Sequence, residues 1–148
     1  MVQDVSMIVV GIDGSEGSER ALEFAANEAL LRKRGLRIVA AWHVPAPVYG
    51  GGFVVPTLPA TDFEDSMRAA AEREAAAAME RHPEIVSELV VCEGNAAAAL
   101  LEQSADADML VVGSRGLGGF RGLLLGSVGH QCAQHAHCPV VIIPAKGR

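Results

Sequence analysis

No apolar stretch of this chain reaches ten residues, so no segment is long enough to cross a bilayer as a helix. The first residues, MVQDVSMIVVGID, lack the basic start of a secretory signal, and their short apolar run ends at Asp13. Cysteine is scarce: Cys92, Cys132 and Cys138 make neither an even disulfide framework nor a CxxC pair, which suits a reducing compartment. Nor is there a Lys/Arg run, and with a net charge of −6 the chain is a poor partner for nucleic acid. Two nucleotide signatures are also missing. GxxxxGK[ST] is absent, and no GxGxxG follows the first apolar run, which excludes a P-loop and leaves a Rossmann dinucleotide site unsupported. The expectation is one cytoplasmic domain spanning residues 1–148, with no membrane segment.

What the chain does contain is alanine and glycine. Its 24 alanines favour helices that pack closely on a sheet, and seven of its 16 glycines fall between Gly113 and Gly129. Five short runs rich in Val, Ile, Leu and Met, at 5–12, 36–44, 85–92, 109–112 and 140–143, are mostly apolar on both faces, as strands buried in a parallel sheet are. Between them lie helical patterns. Ala21, Leu22, Ala25, Ala26, Ala29 and Leu30 form one stripe, followed by Gly35 as a helix-ending residue. Thr61-Asp62-Phe63-Glu64 matches a capping box opening a helix to about Arg81, with Pro83 at its exit. Further helices are expected from Asn95 to near Ala105 and from near Ser127 to before Pro139. The order β-α-β-α-β-α-β-α-β with right-handed crossovers predicts a single doubly wound α/β domain, helices on both faces of a five-stranded parallel sheet.

In such a fold ligands sit beyond the strand C-termini where the winding reverses. Two strand ends are equipped for it. Gly11-Ile12-Asp13-Gly14-Ser15 ends the first strand, and Gly113-Ser114-Arg115-Gly116 ends the fourth, running on through Arg121 to Gly126-Ser127-Val128. Glycines let a ligand approach the bare backbone, successive amides make a concave anion site, and a following helix adds free donors. Ser127 suits the N-cap position or a phosphate contact, while Arg115 and Arg121 bring positive charge. Residues 45–60, with four of the seven prolines and Gly50-Gly51-Gly52, read as a long loop after the second strand, either a solvated insertion or a lid.

The spacing Gly113-x-x-Gly116, nine residues, then Gly126-Ser127 resembles the nucleotide motif of the ATP-binding universal stress proteins. The opening VVGIDGS, Trp42-His43-Val44, Glu93-Gly94-Asn95 and Cys138-Pro139-Val140 extend the resemblance along the whole chain. The resemblance implies a Rossmann-like, adenine nucleotide alpha hydrolase-like sheet in the order 3-2-1-4-5. It implies ATP, with Mg²⁺, as cofactor: Asp13 after Gly11 and Ile12 at the adenosine part, and the Val44 backbone at the adenine. Gly113 and Gly116 would face ribose and phosphates, and Gly126, Ser127 and Val128 the triphosphate. It further implies a nucleotide-responsive stress-response module, homodimeric through its last strand, whose apolar edge at 140–143 needs cover. Alternatives are a slow Mg²⁺-dependent ATPase and a universal stress protein that binds no nucleotide and acts through protein interactions. No Ser/His/Asp or Cys/His spacing identifies a nucleophile. His43, on the ligand side, is read as a packed or surface histidine, Cys92 as a packed thiol, Cys132 as part of an inward stripe and Cys138 as the family's pre-strand residue, rather than as metal ligands.

Overall fold

A computed structural model describes residues 6–42, 60–115 and 126–144. Its elements follow the expected order: β1 (Met7–Ile12), α1 (Glu16–Arg32), β2 (Gly35–Trp42), α2 (Ala60–Arg81), β3 (Ser87–Glu93), α3 (Ala96–Gln103), β4 (Met109–Gly113), α4 (Ser127–His135) and β5 (Val140–Ile143). The strands form one sheet in the order β3-β2-β1-β4-β5, and every pairing is parallel.

The alternation of side chains along a strand separates two cores. Ile8, Val10 and Ile12 of β1, with Ile38 and Val111, face α1 and α2. Val9, Val39, Leu110 and Val112 face the other way, against Ala99, Leu100 and Cys132 of α3 and α4. β1 lies in the middle, paired with β2 through Val10–Ile38 and with β4 through Val10–Val111. Because β1 and β4 are neighbours whose following helices lie on opposite faces, the winding reverses between them, and their C-terminal ends share one crevice.

Alanine does the work expected of it on the first face. Ala71, Ala75 and Ala78 of α2 are buried with Ala21, Ala25, Ala26 and Ala29 of α1 in the same core, so two helices crowd onto one side of the sheet. Beyond the alanines, His82 Nε2 pairs with Glu23 Oε1 at 2.8 Å, fixing the far end of α2 on α1.

Several local readings are corrected. Gly35 does not end α1. The left-handed residue there is Lys33, at φ 56°, and its amide reaches back to Ala29 O and Leu30 O. Gly35 opens β2 instead, where a Cβ would stand 2.7 Å from Met7 Sδ and 3.3 Å from Val86 O. The capping-box reading of Thr61 also fails, because α2 already begins at Ala60. Ser127 is not the N-cap of α4; Gly126 is, with no side-chain cap. The third strand starts at Ser87 rather than Ile85, since the Ile85 amide donates to His82 O (3.2 Å) in the turn that closes α2. The 45–60 loop reading lies outside the described residues apart from Ala60, the first residue of α2.

Candidate functional site

The crevice between β1 and β4 is a cavity of about 660 Å³. Gly11, Ile12, Asp13, Gly113, Arg115, Gly126, Ser127 and Val128 all line it, so segments more than a hundred residues apart in sequence meet at one place. Val44, Gly116 and Arg121 lie outside the described residues.

The β1–α1 turn is tightly organised. Gly14 takes φ 84°, a conformation that glycine adopts without cost, and turns the chain from strand to helix. Ser15 caps α1, its Oγ accepting from the Ser18 amide at 3.1 Å. Asp13 Oδ1 accepts from the Ser15 amide at 2.9 Å and from the Ser15 hydroxyl at 2.5 Å. The Ser18 hydroxyl accepts from the Asp13 amide at 3.0 Å and donates to Glu74 Oε1 at 2.7 Å. Glu74 comes from α2, and the nearby Gly14 backbone favours its charged form. Burial raises the Glu74 carboxyl above the ordinary glutamate value; the Ser18 bond opposes this, and the charges of Asp13 and Glu19 add to it.

The β4–α4 side is built differently. Ser114, the buried residue after β4, accepts from the Gly126 amide at 2.5 Å, drawing the start of α4 against the end of β4. The first-turn amides of a helix have no partners within the helix, and the cap residue here, Gly126, has no side chain to offer them. Those residues, Ser127, Val128 and Gly129, line the cavity beside Arg115. Backbone proximity favours glycine here. A Cβ on Gly113 would stand 3.2 Å from Gly17 O, and one on Gly126 the same distance from Ser114 O. Both glycines therefore let chain segments close on each other, a role distinct from the ligand approach expected of them. A Gly126→Val variant would disturb that closure as well as any ligand, so it is a poor test of the site.

The rest of the lining is apolar. Trp42 and Phe63 meet at 5.9 Å between ring centroids, with Met67, Ala70, Ala71, Val39 and Leu100 around them. Sequence reasoning missed the contributions of α2, above all Glu74. A signal for it exists. Glu74 falls three residues after Ala71 and four before Ala78, a charge set into the apolar stripe of its helix. Ser18 gave no comparable signal, since a serine in a helix's first turn is ordinary.

Fold and crevice together define an α/β protein with a ligand cleft at the switch point of its sheet. The model of the universal stress protein family matches residues 6–144, and the chain belongs to that family. Universal stress protein Rv2624c of Mycobacterium tuberculosis (strain ATCC 25618 / H37Rv) is 36% identical over 143 residues, covering 94% of this chain and 48% of the relative. The chain thus spans about half the length of the curated relatives it matches. Among solved structures, a universal stress protein in complex with cAMP is 30% identical with a TM-score of 0.62, covering 93% of this chain and 95% of that one. A universal stress protein from Archaeoglobus fulgidus in complex with dAMP is 25% identical, also with a TM-score of 0.62, covering 93% and 97%. Nucleotide binding is therefore found among its structural neighbours. Among the described residues no helix is long and apolar enough to cross a membrane.

Proposed function

We propose that the β1–β4 cavity binds an adenine nucleotide, ATP in the first place, and that the chain acts as a nucleotide-responsive regulatory module in the stress response. The observation that carries this reading is the mixed lining of the cavity. Asp13 and Glu74 from the β1–α1 side, and Arg115 and the start of α4 from the β4 side, all line it. A nucleotide has groups to match both: sugar hydroxyls and a base amino group donate to carboxylates, and phosphates accept from amides and guanidinium. The apolar wall of Trp42, Phe63 and Met67 suits a purine, and about 660 Å³ lies within the usual range of small-molecule sites.

In this arrangement Gly11 and Ile12 carry Asp13 to the sugar, Val44 serves the adenine, and Gly113 and Gly116 follow the ribose and phosphates. Gly126, Ser127 and Val128, with Arg115 and Arg121, hold the triphosphate. Mg²⁺ would accompany ATP held mainly by phosphate oxygens and water, because this reading gives the carboxylates that line the cavity among the described residues, Asp13 and Glu74, to the sugar. Neighbours that bind cAMP and dAMP support the nucleotide class. We assign the working form as a cytoplasmic homodimer paired through β5, an edge strand whose Val140, Val141 and Ile142 are only half-buried. Three free cysteines agree with a reducing compartment.

Calorimetric titration of the purified chain with ATP, ADP and cyclic AMP tests the reading. Saturable one-site binding of ATP is expected. Absence of heat with all three, together with no adenine nucleotide released on denaturing freshly purified protein, would leave a universal stress protein that works without nucleotide.

A further inference from the structure

In many α/β proteins the first strand-to-helix turn is where an anion is held, because the amides at the start of α1 point into the crevice. In this chain two amides around that turn are answered by the protein itself. The Ser15 amide goes to Asp13 and the Ser18 amide to Ser15. Glu74 is not part of the turn; it comes from α2, fifty-six residues beyond Ser18, and is held there by the 2.7 Å bond from the Ser18 hydroxyl. The charged groups acting on it from the neighbouring elements are Asp13 at the end of β1 and Glu19 on α1, both negative. Arg115, the cation of the cavity among the described residues, belongs to the β4 side.

We propose that Glu74 is a specificity-determining residue of this cavity: with Asp13 it makes the sugar end refuse a ligand that is negatively charged there. The inference rests on the nucleotide reading above and deepens it. Nucleotides whose ribose hydroxyls are unmodified can donate to the two carboxylates. A phosphate on the 3′-oxygen brings two charges toward them instead. At a separation of a few ångströms, even partly screened, such repulsion amounts to roughly a tenfold or larger loss of affinity. Burial first, and the charges of Asp13 and Glu19 behind it, raise the Glu74 carboxyl above the ordinary glutamate value.

The test compares AMP with adenosine 3′,5′-bisphosphate, which differ only at that position, on the full chain at pH 8. Dissociation constants are measured by calorimetry for the wild type and for Glu74→Gln, which removes the charge while keeping length and an accepting oxygen. The wild type is expected to bind the bisphosphate at least about tenfold more weakly than AMP, and Glu74→Gln to lower that ratio about tenfold. Glu74→Met, of similar length in a helix, is expected to lower it as well, and serves if the glutamine variant unfolds. A ratio unmoved in a folded variant that binds AMP overturns the proposal and leaves the nucleotide reading standing. Failure of both wild type and variant to bind AMP removes the nucleotide reading, and the proposal with it.

Discussion

The β1–α1 turn and the β4–α4 connection occupy equivalent places, each following a central strand of the same sheet, yet they are equipped in opposite ways. The first is capped by Ser15 and carries Asp13, with Glu74 brought in from α2. The second begins its helix at a glycine with no side-chain cap and carries Arg115. Topology supplies two helix N-termini at one crevice, and side chains decide which of them is left to a ligand. In the proposed reading the carboxylates beside the first turn disfavour phosphate there, and the start of α4 takes it instead.

The two regions also touch each other, and the largest expected effect comes from forcing them apart. Gly113→Val places a side chain where even a Cβ would stand 3.2 Å from Gly17 O and 3.3 Å from Gly17 C, backbone that cannot swing away. It is expected to destabilise the fold by roughly 1–3 kcal/mol, seen as a lower urea midpoint. Next comes the cap that only the first turn possesses. Ser15→Ala removes the acceptor of the Ser18 amide and a donor to Asp13, and should cost about 1 kcal/mol in the same measurement.

On the second side, Arg115→Ala should weaken ATP binding by about three- to tenfold, with less salt dependence, while shifting stability by less than about 0.5 kcal/mol. An unchanged ATP affinity would erase the electrostatic contrast between the two regions. The smallest effect is in pH. The folded-state pKa of Glu74 is raised, first by burial, so its stabilising contribution is present below the unfolded pKa and is lost as pH rises through the folded value. Glu74→Gln lacks this loss. Its urea midpoint relative to wild type should therefore improve as pH goes from acid to neutral. Glu23 has the opposite sign, because hydrogen bonds from His82 and Arg81 outweigh its desolvation and lower its pKa. Its contribution is present above the unfolded pKa and lost as pH falls through the folded value, so Glu23→Gln should lose ground to wild type as pH rises.

Most of the architecture was legible because its signals are local. Apolar runs of four to eight residues and a stripe such as Ala21, Leu22, Ala25, Ala26 and Ala29 place strands and helices without knowledge of what they touch. Errors gathered at the ends of elements, where a single hydrogen bond decides. Lys33 rather than Gly35 takes the left-handed turn, and Ile85 is drawn into a turn by His82. The glycine spacing was legible as a pattern, though part of its meaning was not. Gly113 and Gly126 are needed where backbone meets backbone, a fact set by Gly17 and Ser114.

By itself the sequence determined the order of the elements, the class of sheet, the family, and the two strand ends that line the crevice. Each depends on patterns that recur within a few residues or on motifs at stated spacing. Only the tertiary structure decided what each strand end offers a ligand. That depends on which distant group reaches the turn, and the arrival of Glu74 at the Ser18 hydroxyl follows from the packing of α2 on α1.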